Sequence, residues 1–136
     1  MPDFSDPAAQ PAMSIQPLLP LVEHAVAMCA AQSRVGFDVR PALGDVQVAA
    51  DAAGLTQALV VLLSHAARCA PAGAVVDVSV QRNAATARIA VSGVADDGQT
   101  LRMVAAIIEQ HRGTTGFSHP DQFYADLPLA GPPRNT

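Results

Sequence analysis

Positive charge is scarce in this chain. Only eight of its 136 residues are lysine or arginine, against twelve aspartates and glutamates, and the formal net charge is −4. The basic residues are scattered, so no cationic stripe exists to neutralise phosphates, and nucleic acid is not an expected partner. Cysteine is scarce too. Cys29 and Cys69 stand too far apart for the close spacing of paired metal ligands, so no metal site is expected. Both are expected to be reduced thiols that pack as small hydrophobes. No unbroken apolar run approaches the roughly 18 residues of a membrane span. The N-terminal stretch "MPDFSDPAAQPAM" has neither the positive nor the apolar region of a signal peptide. A cytoplasmic protein without a membrane segment is therefore expected.

What the chain does have is hydrophobic patterning. Half of its residues are hydrophobic, enough for one domain that buries roughly two thirds of its unfolded surface. Residues 1–13, rich in Pro, Ala, Asp and Gln without a period, read as a disordered tail, residues 14–130 as the domain, and 131–136 as a second tail. From Pro17 to Gln32, Leu18, Leu19, Leu21, Val22, Val26 and Cys29 recur at helical steps. "RVGFDVR" and "DVQVAA" alternate like strands and, with the turn Pro41-Ala42-Leu43-Gly44 between them, predict a hairpin. Asp51 is placed as the N-cap of a second helix whose face carries Leu55, Ala58, Leu59, Leu62, Leu63 and Ala66, stopped by Pro71 and Gly73. "AVVDVSVQ" and "TARIAVSG" predict a hairpin through Arg82-Asn83-Ala84-Ala85 at the centre of the sheet. A third helix, "QTLRMVAAIIEQH", buries Leu101, Val104, Ala105, Ile108 and His111, with Gly113 as its cap, and "TTGFS" and "QFYADLPL" supply two last strands. The fold class is α+β, a two-layer sandwich with three helices on one face of a mixed, mostly antiparallel sheet.

Several of these segments, in this order, resemble the ATPase domain of sensor histidine kinases, the Bergerat or GHKL fold. "VAADAAGLTQALVVLLSHAARCAP" is similar to that family's helix leading into Asn-Leu-Leu-x-Asn-Ala-x-Lys-Tyr-x-Pro, "ARIAVSGVADDG" to its strand ending in Asp-Asn-Gly, "LRMVAAIIEQHRG" to its helix ending in His-Gly-Gly, and "FYADLPL" to its closing strand. The resemblance implies a nucleotide site, and its key positions carry other residues. The first Asn of the helix motif falls on Val61, and the second, which helps hold Mg²⁺, falls on His65. Mg²⁺ takes oxygen ligands, which neither side chain offers. The Asp that accepts from adenine falls on Ser92, an uncharged acceptor. Only "GVADDG" separates Ser92 from the third helix, where the family has a long glycine-rich lid, and Gly98-Gln99-Thr100 keeps one glycine of its Gly-x-Gly. Arg68 stands where the family often has a basic residue near phosphate.

Val61, His65, Arg68, Ser92 and Gly98 are thus expected to mark the remains of a nucleotide site, with no cofactor bound; bound Mg·ATP is the alternative. For His65 a phosphoacceptor role competes with simple replacement of a lost ligand. Ala66 follows it and Pro71 lies six positions on, whereas the kinase phosphoacceptor box has an acid directly after its His and a Pro five on. His24, beside Glu23, has no dimerisation helix pair around it. His111 is expected to pack at a helix end, where the dipole favours a cationic form. His119 reads as a loop residue, Asp96 and Asp97 as a turn, and Arg68 as a solvated helix-end cation. No nucleophile is set against a base at a recognisable spacing. The expected function is a non-catalytic ATPase-like module of bacterial two-component signalling that binds a receiver domain or a kinase near Val61, His65, Arg68 and Met103. An active kinase domain, of histidine kinase or anti-sigma-factor serine kinase type, and a structural oligomerisation domain are the alternatives.

Overall fold

Pro17 ends a short extended stretch and the chain then turns into its first helix. The computed structural model describes residues 13–42, 44–95, 98–119 and 121–130; the expected tails and the Asp96-Asp97 turn lie outside them, apart from Met13. Helix α1 spans Leu18–Ala30 and tolerates Pro20 in its first turn, where the missing N–H has no intrahelical partner to lose. Leu18, Val22, Ala25 and Cys29 form its buried stripe, flanked by Leu19, Leu21 and Val26. Helix α2, Ala52–Cys69, buries every apolar residue of the expected face and His65 besides. By length and composition it could cross a membrane, yet its leucines fill the core between α1, α3 and the sheet. Helix α3, Gly98–Gln110, buries Leu101, Val104 and Ile108, with Ala105 half-buried.

The strands among the described residues are β1 (Ser14–Pro17), β2 (Gly36–Arg40), β3 (Gln47–Ala50), β4 (Val75–Arg82), β5 (Thr86–Val91), β6 (Thr114–His119) and β7 (Gln122–Pro128). Five of them make one sheet in the order β2-β4-β5-β7-β6, with β2 and β4 parallel and the other pairs antiparallel. The α+β expectation thus describes the architecture, three helices over a mixed, mostly antiparallel sheet. The hairpin expected between "RVGFDVR" and "DVQVAA" does not form. Strand β2 pairs with β4, and β3 pairs antiparallel with β1 in a separate two-stranded sheet. Parallel neighbours need a long crossover, and α2 supplies it, which leaves β3 free to take the N-terminal strand as its partner. His119 ends β6 rather than lying in a loop.

Two caps also differ from expectation. Asp51 occupies the N-cap position of α2, but its side chain makes no capping bond; its carbonyl accepts from Leu55 N–H at 2.8 Å. At the end of α3 the left-handed residue is Arg112 (φ 64), not Gly113. Gly113 N–H reaches the Ile108 carbonyl at 2.9 Å and Arg112 N–H the Glu109 carbonyl at 2.9 Å, the paired bonds of a Schellman ending. Gly54 lies within α2, and a Cβ there would meet only the Asp51 carboxylate, at 2.9 Å, a group free to swing aside. Gly54→Ala is expected to stabilise the domain by about 0.5 kcal/mol, checked as a rise in urea midpoint at unchanged slope.

The outer face of the sheet is held by polar pairs. Arg88 and Asp126, directly opposite on β5 and β7, form a bidentate pair at 2.8 and 2.9 Å, and the guanidinium lies 3.9 Å from the Tyr124 ring centroid. The hydrogen bond to Asp126 raises the Arg88 pKa above its ordinary value, against desolvation that lowers it. The pair therefore keeps its arginine charge at all physiological pH.

Candidate functional site

The resemblance centres on α2 and the connection from β5 to α3. His65, on the second-to-last turn of α2, is only 6 % exposed. Its Nε2 lies 2.9 Å from the Ala95 carbonyl, which can only accept, so Nε2 carries the hydrogen and donates it. Exposed Cys69, one turn on, has its Sγ 3.7 Å from the same nitrogen, where sulfur can only accept. A phosphoacceptor nitrogen needs a bare, accessible lone pair. Nε2 has neither, and the exposed His24 on α1 remains a surface side chain.

Residues 92–95, where the family's lid would begin, are tied down on both sides. Ser92 N–H donates to the Asp77 carbonyl at 3.0 Å, and Asp77 N–H donates back to Ser92 Oγ at 2.8 Å. Gly93 turns the chain at φ 72. Val94 is fully buried, its N–H on the Asp121 carbonyl at 2.8 Å, and Ala95 takes the His65 bond. Gly98 then opens α3 as an exposed first-turn residue.

The expected site residues do not form one surface. Val61 is half-buried against the core, and His65 points to the β5–α3 connection. Arg68 is exposed on the flank of α2 that faces α1, where it lines a concavity with Arg34 and Ser64. Met103 is half exposed on α3. No group of three or more His, Cys, Asp or Glu among the described residues could hold a metal ion. Sequence reasoning missed the backbone partners Ala95, Asp77 and Asp121; the isolated apolar Val94 in a turn-rich segment was the available signal.

No protein-family model matches the sequence, and no curated protein matches it. Solved structures do. A histidine kinase from Burkholderia phymatum superposes with a TM-score of 0.75 at 17% identity, covering 91% of this chain and 74% of that one. The mycobacterial sensor histidine kinase MprB gives 0.71 at 17% identity, over 89% of this chain and 100% of that one. The ATP-binding domain of PrrB from Mycobacterium tuberculosis gives 0.70 at 20% identity, over 88% and 98%. The three-helix layer and mixed sheet are thus the fold of histidine kinase ATP-binding catalytic domains.

Proposed function

We propose that this chain is a non-catalytic ATPase-like module of bacterial two-component signalling, cytoplasmic, which binds a receiver domain or a histidine kinase. The observation that carries this reading is the short β5–α3 connection, held by the fully buried Val94 and by His65 Nε2–H on the Ala95 carbonyl. A segment fixed at Ser92, Val94 and Ala95 has little freedom to close over phosphates. The residues present also fail to fit Mg·ATP. Val61 offers no ligand, the His65 nitrogen facing the connection carries a hydrogen, and Ser92 Oγ already accepts from Asp77 N–H.

What the fold still offers is a surface. Met103, half exposed on α3, and Arg68, exposed on the flank of α2 that faces α1, present an apolar and a cationic group to solvent. Exposed apolar and cationic groups of this kind suit protein recognition better than chemistry.

Thermal melts test the nucleotide half of the proposal. Losing the charged acceptor for adenine should weaken binding by about 1–3 kcal/mol, the missing Mg²⁺ ligand and lid weaken it further, and at roughly tenfold in affinity per 1.4 kcal/mol even a micromolar site is pushed to millimolar or weaker. A ligand at about a tenth of its dissociation constant stabilises a fold by less than about 0.1 kcal/mol. Melts with and without millimolar Mg·ATP should therefore superimpose; a reproducible rise of several degrees, abolished by Ser92→Ala, overturns the reading. The partner half is tested by titrating purified receiver domains and kinases from the same genome. Met103→Glu should weaken the complex without unfolding the domain.

A further inference from the structure

A concavity of about 370 Å³ opens between the C-terminal halves of α1 and α2, on the flank of α2 away from the β5–α3 connection. Its volume lies within the roughly 300–1,000 Å³ of small-molecule sites. The floor is built by contacts between the helices: Cys29 Sγ lies 3.6 Å from the Val60 carbonyl and 3.5 Å from Ser64 Oγ. Two arginines line it, Arg34 from the loop after α1 and Arg68 from the last turn of α2, and neither has a carboxylate partner among the described residues. In a chain with so few basic residues, two unpaired guanidinium groups in one concavity are a local reversal of the overall charge. Arg34 is held in place through its backbone, since its carbonyl accepts from Gly73 N–H at 3.2 Å and Gly36 N–H reaches the Ala74 carbonyl at 2.9 Å.

We propose that this concavity is a binding site for a small polar anion, a metabolite-sized phosphate or carboxylate. Arg34 and Arg68 supply charge-assisted bonds, and Gln32 and Ser64 supply neutral ones. The inference does not rest on the proposed signalling role, and of the expected nucleotide-site residues the concavity includes only Arg68. The competing account is that each arginine only complements the carbonyls at a helix C-terminus.

The test is an amide chemical-shift titration of the full chain with sodium pyrophosphate and, separately, sodium citrate. Saturable shifts are expected at Gln32–Arg34 and Ser64–Arg68, and the stronger of the two anions identifies the ligand class. Arg34→Gln and Arg68→Gln should each weaken binding about tenfold, the worth of one charge-assisted bond, and together abolish it. Arg102→Gln, on exposed α3, should leave binding unchanged. Three results overturn the proposal: retained binding in the double variant, shifts that map to Ser92–Gly98 instead, or a lowered melting temperature in the arginine variants with anion binding unchanged.

Discussion

Gly113→Ala is expected to destabilise the domain by about 3 kcal/mol, a fall of roughly 10 °C in melting temperature for a chain of this size. The glycine is not needed for its backbone angles, because the left-handed position of the Schellman ending belongs to Arg112. It is needed for room. Directly after α3 the chain must enter β6 against β7, and a Cβ at Gly113 would collide with the Asp126 carbonyl and lie 2.7 Å from Ile108 Cγ2 and 3.0 Å from Leu127 Cδ2. None of these can retreat cheaply. Asp126 is paired in register with Arg88 on one side and Thr114 on the other, and Ile108 and Leu127 are core residues. Gly116 provides the contrast. The atoms nearest a Cβ there belong to the Tyr124 side chain, its hydroxyl at 2.7 Å and Cζ at 2.9 Å, and that ring is half-exposed on the outer face. Gly116→Ala should cost less than about 1 kcal/mol. Thermal melts of the two variants check the ranking, and equal losses would remove the steric account.

The position of Gly113 was legible in the sequence, but its reason was not. Helical spacing identified the buried faces of all three helices, because a stripe every three or four residues needs no knowledge of what covers it. A short turn made the β4–β5 hairpin equally legible, while β6 and β7 were legible as strands but not as partners. Alternation alone was insufficient elsewhere. Val35, Phe37 and Val39 mark a strand, but nothing in them says that the partner is β4, across a helix, rather than the next strand along. Strand β1, "SIQP", is too short and polar to be read at all, and so β3 lost its partner. The candidate site divides in the same way. Motif spacing reached Val61, His65 and Ser92, whereas the carbonyls of Ala95, Asp77 and Asp121 that hold this region are backbone groups with no sequence signature. Arg34 and Arg68 meet only because α1 and α2 pack side by side.

His111→Ala is expected to cost about 3 kcal/mol, through a cavity and two backbone groups left without partners. The ring is 4 % exposed at the end of α3 and bridges two helix termini. Asp51 N–H can only donate, so Nε2, 3.2 Å away, must be the bare nitrogen. Nδ1 therefore carries the hydrogen and donates it to the Ile107 carbonyl at 2.8 Å, one of the acceptors that a helix end leaves free. The imidazole is thus neutral in this arrangement, contrary to the cationic form that the helix dipole alone would favour. Because the Asp51 side chain makes no capping bond, this histidine takes over part of the task at the start of α2. Two variants separate packing from hydrogen bonding. His111→Leu fills the space but orphans both backbone groups, and should still cost about 2 kcal/mol. Urea midpoints measure the loss, and amide hydrogen exchange locates it, with the Asp51 amide expected to exchange faster in both variants. Wild-type stability and wild-type protection of Asp51 in His111→Leu would show that the ring contributes volume alone.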